Sequence, residues 1–474
     1  MTTGLTRRRF VKRSAAVGGG LALATPLSSL ATRTAHAHRR PCVLGYGDLL
    51  DTPEETTGIP YIKLPEGFRY RVISRSGDLM SDGNPTPGIF DGMAAYRGRH
   101  GTTVLVRNHE NRSQGGEIPV VVPGGLRYDP NVNVRGGNTK LVLDGDRTVV
   151  ESFAVLGGTH TNCAGGQTPW GTWITCEEIF TYGSGSSSPT GGVPHGYAFE
   201  VPADADEPVA PLPILAAGRF AREAVAWLEG VLYQTEDRGN AAFYRFLPER
   251  RPKEFGDLAA FGGELQALVV AGQPGFDADE ALTGAVHEVE WVTVDDPNPL
   301  ADTVRTQAQA KGAAIFNRTE GIWAADGRVY FDCTSGGPAG LGQVWEYEPR
   351  GRDGGRLRLV YVSLSPDDLE APDNLVVVPR TGDLFLQEDG GGEQFVRGVT
   401  RGGAVYDFAR TLINGTEFAG GCFSPDGRTF FLNQQGDRLR SGQTPESQPD
   451  SERGLTYAIW GPFERCDHRP HGSA

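Results

Sequence analysis

The chain has 474 residues and a formal net charge of −14, and its 66 glycines and 32 prolines predict a β-rich fold with many turns. The negative charge argues against nucleic acid or an anionic membrane surface as a partner. An anionic substrate would need bound cations near it to reverse the local field.

The first 37 residues have the pattern of a twin-arginine export signal. An Ala- and Gly-rich segment follows the arginines, and Ala35 and Ala37 are spaced as in a cleavage site. Cleavage after Ala37 removes six basic residues and no acidic one, which takes the charge from −14 to −20. We expect export by the twin-arginine machinery to a secreted, periplasmic or cell-surface location, without membrane contact after cleavage. A basic tail or a membrane anchor is the alternative, although the apolar run is short for a bilayer span. The motif consists of Arg7, Arg8, Phe10 and Lys12.

The mature chain divides into a lead-in, a long repetitive region and a tail. Residues 38–88 form a Pro-rich lead-in with one predicted strand at 70–74, and residues 464–474 form the tail. Residues 89–463 are the predicted catalytic domain. An insertion at about 247–315 contains the best helix candidate, at 300–314.

The six cysteines fall into three groups. Cys42 and Cys466 lie near the mature ends, and they either form a disulfide or stay free. Three others lie in apolar strand contexts and are predicted to be small core residues: Cys176, Cys333 and Cys422. Cys163 differs because a polar Thr-His-Thr-Asn run precedes it and Ala-Gly-Gly follows it.

Six predicted β-hairpins recur along the repetitive region, several followed by an outer-strand pattern such as TKLVLD or QVWEYEP. They indicate an all-β fold, a six-bladed β-propeller with loop and short helical insertions. Two stacked β-sandwiches are the alternative. Because propeller blades pack radially, one end of every inner hairpin should face a central funnel. The hairpins cover residues 91–110, 159–178, 218–237, 317–337, 371–392 and 417–435.

Acidic residues recur at the ends of these hairpins. Carboxylates gathered around one axis repel one another unless multivalent cations lie among them. Oxygen ligands suit calcium, whereas the thiolate of Cys163 suits a softer or redox-capable metal, with iron a good candidate. The sequence therefore predicts a cluster with two kinds of metal. The acidic residues are Glu110, Glu178, Glu223, Glu320, Asp373 and Glu388.

Three further side chains are candidates for supporting roles. Arg318 lies two residues before Glu320, so both should project from the same face of a strand. It either binds a phosphate or carboxylate through paired hydrogen bonds or neutralises Glu320. His109 and His160 either bind metal themselves or hydrogen-bond neighbouring carboxylates, and the second role is the one predicted.

Several motifs together resemble the PhoX family of secreted alkaline phosphatases over most of residues 60–463. The resemblance implies a six-bladed propeller whose iron and calcium cofactor hydrolyses phosphomonoesters. It implies that Cys163, Glu223 and Glu320 bind iron and that Arg318 contacts the phosphate. It further implies that calcium is bound, or the metals are bridged, by Glu110, Glu178, Asp373 and Glu388, with Asn108 nearby. The motifs are RNHE, THTNCAGGQTPWGTWITCEE, GRFAREA with TED, NRTEG, PDNL with QED, and EFAGGCFSPDG.

The sequence departs from the family pattern in two respects. The chain is short for the family, and no lysine follows Lys311, although the resemblance leads us to expect one near the phosphate. Arg401 or Arg428 then supplies that charge, or the substrate differs. We expect a monomeric phosphatase for small phosphate esters. The alternatives are a calcium-dependent lactonase or phytase-like propeller, and a non-catalytic calcium-stabilised propeller that binds a partner.

Overall fold

The computed structural model describes residues 44–181 and 192–464. Cys42, Cys466 and the predicted signal (residues 1–37) lie outside these ranges, so the disulfide and the export signal stay predictions. No helix within the two ranges is long and apolar enough to cross a membrane.

The described chain forms 26 β-strands and two short α-helices. The first thirteen strands are β1 (Leu49–Thr52), β2 (Ile62–Pro65), β3 (Arg69–Arg75), β4 (Phe90–Arg97), β5 (Thr103–His109), β6 (Gly136–Leu143), β7 (Val149–Thr159), β8 (Asn162–Gln167), β9 (Thr172–Glu177), β10 (Ala198–Pro202), β11 (Arg222–Leu228), β12 (Val231–Glu236) and β13 (Tyr244–Pro248). The remaining strands are β14 (Gly263–Val270), β15 (Val286–Thr293), β16 (Thr319–Ala325), β17 (Arg328–Cys333), β18 (Gln343–Arg350), β19 (Gly354–Val362), β20 (Pro372–Val377), β21 (Leu384–Glu388), β22 (Phe395–Val399), β23 (Val405–Thr411), β24 (Phe418–Phe423), β25 (Thr429–Gln434) and β26 (Leu455–Trp460). The helices are α1 (Asp257–Ala260) and α2 (Val304–Ala310).

All six predicted hairpins are present as antiparallel pairs. They are β4–β5, β8–β9, β11–β12, β16–β17, β20–β21 and β24–β25. The first strand of each pair is an edge strand of its sheet, and these six edge strands contact one another in a closed ring. The fold is therefore all-β and propeller-like, and one end of every hairpin faces the same region.

The strands are distributed over five sheets instead of the six separate blades predicted from the sequence. The reason is β15, which lies in the predicted insertion and pairs with β14 on one side and β19 on the other. It merges the third and fourth hairpin units into one nine-stranded sheet. The sheets are β4–β5–β6–β7, β8–β9–β10, β11–β12–β13–β14–β15–β19–β18–β17–β16, β20–β21–β22–β23–β2–β1 and β24–β25–β26–β3.

The predicted lead-in supplies three strands to these sheets. β3, which contains the predicted strand at 70–74, pairs with β26 near the other end of the chain. β1 and β2 extend the sheet of the fifth hairpin through β23. Hydrogen bonds between early and late strands thus join the two ends of the described chain.

The core lies between the sheets and is built from the alternating apolar residues of the strands. Apolar side chains from neighbouring units form its clusters, such as Phe385, Phe408 and Phe430. The three cysteines predicted to be core residues are buried and free: Cys176, Cys333 and Cys422. The predicted helix is α2, and its Arg305 donates to Glu236 at 3.3 Å, which ties the insertion to the third hairpin.

Glycines allow the backbones of adjacent hairpin units to approach closely. A Cβ on Gly166 of β8 would overlap the backbone oxygen of Val225 in β11. We expect Gly166→Ala to lower the free energy of unfolding by about 1–3 kcal/mol, because two backbones must separate. Urea unfolding followed by circular dichroism measures this change.

Gly125 provides the matched control for this prediction. A Cβ there meets no atom within 4 Å. Gly125→Ala should therefore change the free energy of unfolding by less than about 0.5 kcal/mol. Equal effects of the two substitutions would show that the close approach at Gly166 does not limit stability.

Candidate metal centre

A β-bulge interrupts the first strand of every hairpin close to the ring of edge strands. A bulge adds residues to one strand, bends it and redirects a side chain. Five of the six bulges contain an acidic residue or the unusual cysteine, whereas the sixth contains only glycines. These five residues are Asp91, Cys163, Glu223, Glu320 and Asp373.

The bulge residues and four acids nearby form one continuous set of possible metal ligands. They make four overlapping groups, and within each group the ligand atoms lie within 4.8 Å of one another. Consecutive groups share Cys163, Glu223 and Asp373, so the groups connect into what we call the ligand ring. Its members are Asp91, Glu110, Cys163, Glu178, Glu223, Glu320, Asp373, Asp389 and Glu417.

Six of the eight residues predicted as ligands from the sequence belong to the ligand ring. They are Glu110, Cys163, Glu178, Glu223, Glu320 and Asp373. Three other members were missed. Asp91 holds in its hairpin the bulge position that Cys163 holds in the next, so a comparison of the hairpin starts would have found it. Asp389 and Glu417 lie at the ends of predicted hairpins but were not among the predicted ligands.

Glu388 lies outside these groups, and the side-chain oxygen of Asn108 already accepts hydrogen bonds from Trp173 and Thr175. Glu388 accepts hydrogen bonds from Arg397 at 2.9 Å and from the backbone of Glu370. The Asn108 amide donates at 2.8 Å to the backbone oxygens of Cys163 and Ala164. Asn108 thus holds the bulge of the next hairpin from outside the ligand ring.

Glu223 is the most unusual member of the ligand ring. Its side chain is 0 % exposed, and neither carboxylate oxygen has a hydrogen-bond partner in the described structure. Leaving a buried carboxylate unpaired is costly, because the charge loses its hydration without compensation. A bound cation would remove this cost.

The shifted pKa values of Glu223 and of other members of the ligand ring also favour bound cations. Burial raises the pKa of Glu223 well above its ordinary value, and repulsion from Glu320 and Asp373 raises it further. Burial, with repulsion from Asp389, raises the pKa of Asp373 to about 7. The pKa of the Cys163 thiol is also raised well above its usual range by burial and by Asp91. Multivalent cations reverse such shifts by stabilising the ionised forms.

Arg318 contacts two acids at the edge of the ligand ring. Its Nε and Nη2 donate to the two oxygens of Asp237 at 2.7 and 3.2 Å, and Nη2 lies 2.8 Å from Glu320. Its φ of +55° is in the left-handed region, which few residues other than glycine adopt. Asp237 closes the third hairpin and holds the guanidinium against Glu320, a role that the sequence did not reveal.

The two other arginines predicted as phosphate-binding cations lie elsewhere. Arg401 pairs with Asp326 and is 46 % exposed, and Arg428 is an exposed turn residue. In contrast, Arg112, which was not predicted, donates its Nε to Glu110 at 2.8 Å.

The rings of His109 and His160 do not make the predicted hydrogen bonds to carboxylates in the described structure, although the backbone N–H of His160 donates to Glu177 at 3.0 Å. The ring of His109 contacts the backbone oxygen of Gly88 and the hydroxyl of Thr139, and His160 contacts the hydroxyl of Thr161 through its ring.

A different histidine makes the expected kind of contact. His195 lies buried between Glu177 at 2.6 Å and Asp129 at 3.2 Å. Burial alone would lower the pKa of His195, but the two carboxylates raise it to about 9. The imidazolium of His195 therefore stabilises the ionised form of Glu177, the residue directly before the ring member Glu178.

Comparison with known proteins identifies the family. The sequence model of the alkaline phosphatase PhoX matches residues 44–149 and 132–437, which is most of the chain. The chain belongs to the PhoX alkaline phosphatase family. It is therefore a phosphatase, a hydrolase of phosphoric monoesters. No curated protein gives a significant match.

One solved structure has a similar fold, and others give weaker matches. PhoX from Pseudomonas fluorescens, in complex with the transition-state analogue vanadate, is 17% identical with a TM-score of 0.67, covering 89% of this chain and 98% of that chain. The WD40 repeats of RRP9 are 8% identical with a TM-score of 0.41, covering 87% of this chain and 100% of theirs. A putative 6-phosphogluconolactonase from Bacteroides uniformis is 13% identical with a TM-score of 0.33, covering 69% and 86%.

Proposed function

We propose that this PhoX-family protein is an exported, metal-dependent phosphatase that hydrolyses phosphomonoesters at an iron and calcium cluster in the ligand ring. The observation that carries the proposal is the buried, unpaired carboxylate of Glu223 among Cys163, Glu178 and Glu320. A fully buried acid of this kind fits a cation better than any other partner.

The chemistry of the donor groups supports two kinds of metal. The groups that contain Cys163 combine sulfur with carboxylate oxygen, which suits iron, and we assign Cys163, Glu223 and Glu320 to it. The group of Asp373, Asp389 and Glu417 contains only oxygen donors and suits calcium. Asp91, Glu110 and Glu178 complete the proposed set. We leave out Asn108, whose Oδ1 accepts from Trp173 and Thr175, and Glu388, whose Oε1 accepts from Arg397.

The protein's own residues bind and orient the substrate in this proposal. The half-buried guanidinium of Arg318 binds the phosphate. Asp237, from the adjacent hairpin, holds this guanidinium in its orientation. The cations held by the ligand ring would offset the negative charge that develops on the phosphoryl oxygens. Because these groups all contact the phosphate and not the rest of the substrate, we expect the enzyme to accept many different alcohol leaving groups.

We also infer a six-bladed architecture and export. The six hairpins in a closed ring support six blades, with β15 shared between the third and fourth. The twin-arginine motif and cleavage site support secretion or transfer to the periplasm. A monomer that acts on small phosphate esters remains the expected form.

Elemental analysis of the exported protein, together with hydrolysis of p-nitrophenyl phosphate before and after chelation, tests the proposal. We expect calcium and iron in the purified protein and loss of activity when they are removed. Protein that contains calcium without iron and leaves the ester intact would instead be a binding propeller.

The variant Cys163→Ser separates the phosphatase from the lactonase and phytase-like alternatives. A serine hydroxyl is a poor ligand for the softer metal, so the variant should lose iron and lose activity at least about tenfold. The buried Cys176→Ser variant is the control and should retain the metal. Full iron content and activity in Cys163→Ser would contradict the proposed ligand set.

A further inference from the structure

Arg112 lies at the edge of the ligand ring in the same manner as Arg318. Its Nε donates to Glu110 at 2.8 Å, its Nη2 also contacts Glu110, and Nη2 lies 3.9 Å from Glu178. The side chain is 57 % exposed although the acids that it contacts are buried or nearly so. The guanidinium thus reaches from solvent into the ring.

Each of the two arginines contacts acids of two neighbouring hairpins. Arg112 contacts acids of the first and second hairpins, and Arg318 contacts acids of the third and fourth. Glu178 directly follows the second hairpin and Asp237 directly follows the third, and these two hairpins contact each other, so the two acids lie between the arginines. Arg112, Glu178, Asp237 and Arg318 therefore form a continuous arc along the ring.

Each guanidinium has hydrogen-bonding capacity left for a ligand. Within the described parts of the chain, neither Arg112 nor Arg318 donates from Nη1 to a protein group. Cations bound to Glu110, Glu178 and Glu320 would compete with the guanidinium groups for those carboxylates, which would leave further N–H donors available. Two planar donors on one arc match an anion that offers several oxygens.

We propose that Arg112 is the second phosphate-binding cation of this enzyme and takes the place of the lysine that the chain lacks after Lys311. The inference rests on the proposed phosphatase function and refines its substrate class. Two guanidinium groups and a cation can engage all three non-bridging oxygens of a phosphomonoester. A phosphodiester offers only two such oxygens, so the arrangement favours the terminal phosphate.

The test compares Arg112→Gln, Arg112→Lys and the control Arg401→Gln with the wild-type protein. Arg401 is also a half-exposed arginine in an ion pair, but its partner is Asp326, outside the ligand ring. For each protein we would measure the metal content, kcat and KM for p-nitrophenyl phosphate, and the Kd of inorganic phosphate by calorimetry. Hydrolysis of bis-p-nitrophenyl phosphate provides the comparison with a diester.

We expect Arg112→Gln to raise KM and the Kd of phosphate about tenfold to a hundredfold while the metal content stays unchanged. Diester hydrolysis should change much less. Arg112→Lys should bind phosphate more tightly than Arg112→Gln but less tightly than the wild type, because it keeps the positive charge but lacks the paired N–H donors of a guanidinium. Arg401→Gln should match the wild type.

Two results would overturn the inference. One is a Kd of phosphate in Arg112→Gln equal to that of the wild type. The other is a loss of affinity that follows a parallel loss of metal, which would show that Arg112 only stabilises Glu110. If the proposed phosphatase function itself is wrong, the wild-type protein will leave phosphomonoesters intact, which distinguishes that outcome from a failure of the role proposed for Arg112.

Discussion

Glu223→Gln should remove metal from the ligand ring and reduce phosphatase activity at least about a hundredfold, since weaker perturbations around metal ligands already cost 10–100-fold. The wild-type carboxylate is 0 % exposed and without a hydrogen-bond partner in the described structure, so its ionised form needs a bound cation. A neutral amide has nearly the same shape but provides a much weaker ligand. Elemental analysis and kcat/KM for p-nitrophenyl phosphate measure the two losses.

Glu236→Gln is the matched control because Glu236 lies in the second strand of the same hairpin, paired with Arg222, the neighbour of Glu223. It is equally buried, but Tyr244 donates to it at 2.7 Å and Arg305 at 3.3 Å. We expect this variant to keep its metal and most of its activity. Full metal content in Glu223→Gln, or equal losses in the two variants, would contradict the proposed role of Glu223.

The stability of the metal-free protein should fall as the pH rises from about 5 to 8. Burial raises the pKa of Asp373 to about 7, and those of Glu178, Glu223 and Glu320 are raised well above their ordinary values. Between the unfolded and the folded pKa of each acid, the folded state binds more protons than the unfolded state. The free energy of unfolding therefore decreases with pH in this window, by about 1.4 kcal/mol per pH unit for each titrating group.

Thermal unfolding of metal-free and metal-loaded protein across this pH range measures the effect. The loaded protein should show little of this dependence, because bound cations keep the same acids ionised in the folded state. The difference in unfolding temperature between the two forms should therefore widen toward alkaline pH. A metal-free protein whose stability stays level or rises from pH 5 to 8 would contradict the assignment.

Much of the fold followed from local patterns. Alternating apolar residues bounded by Gly and Asp-Gly turns depend on near neighbours only, so all six hairpins and the helix at α2 were predictable. The merging of the third and fourth units was not, because β15 pairs with β19 about seventy positions away, and nothing in its own sequence specifies that partner.

The candidate site divides in a similar way. Six of the eight predicted ligands recur at hairpin ends and meet in the ligand ring, but Glu388 resembles them in sequence and pairs with Arg397 instead. The difference is the direction in which the side chain leaves the strand. Glu388 is the last residue of β21, whereas the next residue, Asp389, holds the position of Glu110 and Glu178, each of which directly follows its strand; this register is visible only once the strand pairing is known.

The sequence by itself determined that this chain is an all-β protein of the PhoX type with residues that can bind metal. Motifs, composition and the alternation of apolar residues along strands are local properties, so they can be read without the fold. Only the tertiary structure decided which acids lie close together, that Asp237 holds Arg318 beside Glu320, and that Arg112 contacts Glu110 beside Glu178. These contacts join residues of different hairpins. Their distances depend on how the edge strands close into a ring, which no single stretch of sequence records.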